Sequence, residues 1–170
     1  FYKYMKYIEF RHLVKNPIFT PQDLALLGAT YTPSQLTSWQ RKGYITKLRG
    51  QLYAFTDNLK DTSLEVMSTY LHSPSYLSLE YALSHYGIIP EAVYSYTAVT
   101  SKTTRSYTLP QGHFVYRHLP PHLFFGYQIV STSILPYNLA EPEKALLDYF
   151  YLTPNIRNSK DLYELRLNLE

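Results

Sequence analysis

Residues Thr20–Phe55 read TPQDLALLGATYTPSQLTSWQRKGYITKLRGQLYAF. Two Thr-Pro pairs, Thr20-Pro21 and Thr32-Pro33, each open a helix. Threonine accepts a hydrogen bond from the first helical turn, and proline loses nothing at the first helical position. Gly28 and Gly43 are suited to ending the two helices, because glycine tolerates positive φ. In the first helix Leu24 and Leu27, with Ala25, are expected to point inward. In the second, at about 100° per residue, Leu36, Trp39 and Gln40 fall on one side. Ser34, Gln35, Thr37, Ser38, Arg41 and Lys42 cover the other. Two alternating runs follow, Tyr44–Leu48 and Gln51–Phe55, around a turn at Arg49-Gly50. The order is helix, turn, helix, hairpin, as in a winged helix-turn-helix.

In that order the second helix is the one that would enter a major groove. Its wet side carries hydroxyls, an amide and cations, which suit phosphates and base edges. Lys47 and Arg49 sit near the hairpin tip, where they would follow phosphates or the minor groove. Working back toward the N-terminus, residues 2–14 predict a first helix burying Tyr4, Met5 and Ile8 and leaving Lys3, Lys6 and Arg11 wet. Three helices and a hairpin need nothing beyond Asp57, so the expected domains are residues 1–57 and 58–170.

The charge distribution agrees with this division. Within residues 1–55, eight cations face two carboxylates, Glu9 and Asp23, a surplus of six. The rest has eight cations and eleven acids, a deficit of three, which gives the net +3. A basic head on a mildly acidic body suits a phosphate-binding module. Apolar residues are 45% of the chain and charged residues 17%, so it can bury a core. No apolar run reaches the roughly 18 residues of a membrane span, and no signal-peptide pattern is present. Cysteine is absent, which excludes disulfides, thiolate zinc sites and cysteine nucleophiles and fits a reducing cytoplasm. The 19 tyrosines are spread along the chain and carry no functional signal.

Beyond a polar link, Asp57–Asp61, a helix ending near Leu71 is expected, interrupted by Ser73-Pro74. A further helix is expected over SYLSLEYALSHYG, residues 75–87. Strands are predicted at Val93–Thr100, Arg105–Leu109, Phe114–His118, Phe124–Val130 and Thr132–Leu135. The helix opened by Ala140-Glu141-Pro142 buries Ala145, Leu146, Tyr149, Phe150 and Leu152. A last amphipathic helix, Ser159–Leu167, runs toward Glu170 and stops in mid-pattern, so a longer natural chain is expected. The fold class is therefore α+β: a winged helix-turn-helix, then a domain with a small mixed or antiparallel sheet flanked by helices.

Catalytic patterns are sparse. The six glycines form no phosphate loop, and no G-x-S-x-G is present. His118 and His122 have i,i+4 spacing, but Pro120-Pro121 between them forbids the helix a zinc pair would need. Glu141, Glu143, Lys144 and Asp148 suggest a nuclease metal site. Acids at a helix N-terminus account for the cluster more simply. No enzyme, metal or cofactor is expected. Lys102 and Arg105, with Arg117 and His118, are read either as a second basic patch or as a loop closed on its own backbone.

The segments SYLSLEYALSHYGIIPE, YTAVTSKTTRSY, GHFVYRHLPPHLFFGY and AEPEKALLDYFYL follow the winged helix in an order and spacing that resemble the AbiEi antitoxins, regulators of phage-defence toxin–antitoxin systems of type IV. The resemblance covers nearly the whole chain. It implies a cytoplasmic repressor that binds double-stranded repeats in its own promoter. It also implies a C-terminal domain that supports cooperative DNA binding and antitoxicity. The counterpart would be a nucleotidyltransferase-like toxin, countered without a stable complex. The DNA-contacting residues would be Ser34, Gln35, Thr37, Ser38, Arg41, Lys42, Lys47, Arg49, Lys102 and Arg105. The alternatives are a module that holds a protein partner, or a metal-dependent nuclease.

Overall fold

A computed structural model describes residues 5–153. The helix expected at Ser159–Leu167 lies outside the described residues. The chain divides into two compact units between Ser63 and Leu64, and the class is α+β.

The first unit contains α1 (Tyr7–Leu13), β1 (Ile18–Phe19), α2 (Pro21–Leu26), α3 (Pro33–Arg41), β2 (Ile45–Arg49), β3 (Leu52–Phe55) and α4 (Thr56–Leu59). Both Thr-Pro starts form as expected. Thr20 Oγ1 accepts from Asp23 N, and Thr32 Oγ1 accepts from Gln35 N, each at 3.3 Å. Gly28 and Gly43 end their helices with φ of +67° and +73°. The hairpin turns at Gly50, with Arg49 opposite Leu52.

Three details differ from expectation. A third strand, β1, pairs antiparallel with β3 through Ile18–Ala54 and Phe19–Tyr53. Two residues are too short to display a period, and their partners are far away in sequence. In α1 the buried residue is Phe10, followed by Val14, while Ile8 is 69% exposed. In α2 only Leu24 is buried; Ala25, Leu26 and Leu27 face solvent. The core is thus an aromatic cluster of Phe10, Phe19, Trp39 and Phe55 with Leu24, Leu36 and Ile45.

The expected boundary at Asp57 falls inside α4. Arg11 explains why: its guanidinium lies 4.2 Å from the centroid of the Phe55 ring and donates to Asn58 Oδ1 at 2.5 Å. The Asp57 carboxylate is 3.7 Å away. These bonds tie residues 56–59 to α1. They also turn an expected wet cation into a half-buried, locally compensated one.

The second unit contains α5 (Leu64–Leu71), β4 (Ser75–Leu77), α6 (Leu79–His85), β5 (Ser95–Thr100), β6 (Arg105–Leu109), β7 (Gly112–His118), a 3₁₀ turn (Pro121–Leu123), β8 (Tyr127–Val130), β9 (Tyr137–Ala140) and α7 (Pro142–Leu152). Its sheet is mixed, in the order β6-β7-β5-β4-β9-β8. β4 occupies the centre, antiparallel to β5 and parallel to β9.

This corrects the helix expected from Ser75. Tyr76 and Leu77 are both fully buried, so the strand is apolar on both faces and too short to alternate. The strand expected at Thr132–Leu135 is a turn instead. Thr132 Oγ1 accepts from the backbone of Ile134 and Leu135, a local bond that competes with strand pairing.

Register assigns the faces. Leu77, Ala98 and Tyr116 align across three strands, and the Tyr116 hydroxyl donates to Ser68 O on α5 at 2.6 Å. Tyr76, Val99 and Arg117 align on the other face, and the Tyr76 hydroxyl donates to Asp148 on α7 at 2.9 Å. Each face therefore carries a helix, as burial of a central strand requires.

Candidate nucleic-acid interface

Helix α3 is held by its buried stripe. Trp39 packs against Phe10, with centroids 4.5 Å apart, and edge-on to Tyr7 at 5.7 Å. Tyr7 in turn stacks on Tyr44 at 4.4 Å, just beyond the C-terminal end of α3. The Tyr7 phenol is held above its ordinary pKa, first by burial and then by Asp57, so it stays a donor, here to Tyr44 O at 3.4 Å. Ring contacts of this kind fix the roll of the helix as well as its position.

With Leu36 and Trp39 turned inward, Ser34, Thr37, Ser38 and Arg41 form one outward stripe at i, i+3, i+4 and i+7. Ser34, Thr37 and Arg41 are exposed and Ser38 is half-buried. Ser34 Oγ is 2.8 Å from Thr32 Oγ1. Thr37 Oγ1 donates to Pro33 O at 3.1 Å, which leaves its lone pairs and methyl outward. Lys42 is exposed at the C-cap.

Gln35 has a different role from the one expected. Its Oε1 accepts from Thr32 N at 3.0 Å, and its Nε2 donates to Met5 O at 2.9 Å. Both ends of the amide are engaged in capping α3 and tethering the segment before α1. The sequence signal was the Thr-x-x-Gln spacing of a capping box. Gln35→Ala is expected to lower stability of this unit by about 0.5–2 kcal/mol, measured by urea unfolding through Trp39 fluorescence. A change under about 0.3 kcal/mol would mean that water replaces both bonds without loss.

On the hairpin, Lys47 is exposed opposite Tyr53. Arg49 is half-buried, beyond an irregularity in register between Lys47 and Arg49. Lys47 is thus the better exposed of the two expected cations. The first unit presents a hydroxyl-and-cation stripe on α3 and one exposed cation on β2.

Lys102 and Arg105 belong to the second unit. Lys102 Nζ donates to Ser73 O at 2.6 Å, and His118 Nδ1 lies 2.8 Å from Lys102 O. Arg117 donates to Leu152 O at 3.0 Å. Arg105 lies opposite Tyr116, so Arg105 and Arg117 project from opposite faces of the sheet. Register thus separates Arg117 from the expected second basic patch, while His118, two residues from Tyr116, shares the face of Arg105. The loop after β5 bonds locally through Lys102 N, which donates to Thr100 Oγ1 at 3.1 Å, while the Lys102 ammonium and the Arg117 guanidinium go to carbonyls elsewhere in the unit.

In the acidic cluster on α7, Glu141 at the N-cap and Glu143 in the first turn sit at the helix N-terminus as expected, and the other two members differ. Lys144 and Asp148 are buried and paired at 2.5 Å. Asp148 Oδ2 also accepts from Tyr76 and Ser78. The i,i+4 spacing was legible, but its burial was not. Among the described residues no group of three or more His, Asp or Glu side chains is placed to hold a metal ion. No described helix is long and apolar enough to cross a membrane. The chain matches no model of a known protein family, and it matches no curated protein.

Proposed function

We propose that the first unit is a winged helix-turn-helix that reads double-stranded DNA, and that the chain acts by binding rather than by catalysis. The observation that carries this is the outward stripe Ser34, Thr37, Ser38 and Arg41 on a helix whose opposite side is locked by Leu36 and Trp39. Such a helix offers a short row of donors and acceptors of the kind that reads base edges. Lys42 and Lys47 supply phosphate contacts on either flank. Gln35 and Arg105 are not part of the proposed surface, and neither is Lys102.

The biological role follows the sequence resemblance. We infer a repressor of its own promoter and an antitoxin that counters a nucleotidyltransferase-like toxin without a stable complex.

The test is fluorescence anisotropy on a duplex carrying the promoter repeats, against a scrambled duplex. Affinity is expected to fall by orders of magnitude between about 50 and 200 mM salt. Arg41→Ala is expected to lose about 1–3 kcal/mol and to narrow the gap between the two duplexes. Lys47→Ala is expected to weaken both duplexes alike. Binding indifferent to salt, or equal on both duplexes, overturns the reading.

A further inference from the structure

A buried polar cluster of the second unit, Lys144, Asp148, Tyr76 and Ser78, adjoins a cavity of about 180 Å³. Its walls are Leu119, Leu123, Phe125, Leu147 and Tyr151, and Lys144 and Asp148 line it as well. Three of the wall residues, Phe125, Leu147 and Tyr151, are more than half exposed, an apolar rim with nothing covering it among the described residues.

The Lys144 side chain is only 7% exposed. Its ammonium donates to Asp148 Oδ1 and lies 4.7 Å from the centroid of the Phe125 ring. Asp148 is satisfied, because Lys144, Tyr76 and Ser78 all donate to it. Lys144 is not. An ammonium has three N–H groups, one is taken by Asp148, and the ring attracts the charge without being a full acceptor. Donor capacity remains on a buried side chain that lines the cavity.

The surrounding backbone is shaped to keep this arrangement. Leu79, next to Ser78, has φ +58°, a region that costs a side-chain-bearing residue free energy. Gly126 has φ +71°, and a Cβ there would sit 3.0 Å from Lys144 Cγ. Any larger residue would push the lysine stem from its place.

Size and charge together define what fits. An apolar cavity of about 150 Å³ accepts benzene, so this one has room for a ring with a short substituent. The Lys144–Asp148 pair is already neutral. An anionic ligand would bring a second negative charge beside the Asp148 carboxylate, which also lines the cavity. A neutral acceptor meets the spare donor without that penalty. We propose that this cavity binds a small uncharged aromatic molecule with one hydrogen-bond acceptor, of the aryl ketone class, its ring against Phe125 and Tyr151 and its oxygen on Lys144 Nζ.

The proposal does not depend on DNA binding and is tested separately, by saturation-transfer NMR and calorimetry on the full chain with acetophenone, ethylbenzene and benzoate. Saturable one-to-one binding of acetophenone is expected, with ethylbenzene and benzoate roughly tenfold weaker or more. Leu123→Trp fills the cavity and leaves the Lys144–Asp148 pair intact, so it is expected to abolish binding. Leu147→Trp, at an exposed position, repeats this test if the first variant folds poorly. No saturation by acetophenone overturns the proposal. So does equal binding of ethylbenzene, which would mean apolar partitioning alone, or undiminished binding by a folded tryptophan variant.

Discussion

Lys144→Met is expected to destabilise the second unit by about 3–5 kcal/mol. The methionine fills much of the lysine's volume, so lost packing is a minor part of the effect. The larger part is Asp148, which is 1% exposed and would be left as an unpaired carboxylate with two neutral donors, Tyr76 and Ser78. The Tyr76 phenol, already pushed well above its ordinary pKa by burial and by Asp148, cannot lend a proton to relieve the charge. Lys144→Met/Asp148→Asn is expected to recover part of the loss, since the amide oxygen still accepts from both hydroxyls and no charge remains. The single tryptophan, Trp39, lies in the first unit, so its fluorescence is the wrong probe. Urea unfolding followed by near-ultraviolet tyrosine dichroism reports on the second unit. A single-mutant loss below about 1 kcal/mol, or a double mutant no better than Lys144→Met, would mean that water reaches Asp148 and screens it.

Trp39→Ala is expected to cost the first unit about 3–5 kcal/mol. Trp39 is 6% exposed and joins α3 to Tyr7 and Phe10, so its removal opens a cavity between α1 and α3 and frees the roll of α3. The Thr32 cap and the Gln35 tether hold only the N-terminal end of α3. The outward stripe would then lose its fixed direction. Trp39→Phe is expected to cost less, because a ring remains against Phe10. Hydrogen exchange of the α3 amides, read without tryptophan fluorescence, measures both variants. Protection in Trp39→Ala equal to wild type would show that the capping interactions alone fix the helix.

Helices α2 and α3 were legible because their signals are local. A threonine cap, a proline at the first position and a glycine stop act within one turn of chain. The hairpin was equally local, within one residue at each end. Legibility failed wherever the partner was distant. β1 exists only because β3 lies beside it, some 35 residues later in sequence. The inward side of α1 is Phe10 rather than Ile8 because an aromatic cluster drawn from five elements receives it. Arg11 reads as a free cation in sequence because Phe55 and Asn58, which hold it, lie more than 40 residues away.

The candidate DNA surface divides in the same way. Its stripe on α3 follows from helical period and from the two apolar residues opposite. The separation of Arg105 from Arg117 follows from strand register, which no spacing in the sequence discloses. The sequence by itself determined the α+β class, the Thr-Pro helix starts and the hydroxyl-and-cation side of α3, since each rests on the conformational preference of neighbouring residues. Only the tertiary structure decided that Ser75–Leu77 is a central strand and that Lys144 and Asp148 are a buried pair. Burial on both faces, and the desolvation that comes with it, is a property of what packs around a residue and not of the residue itself.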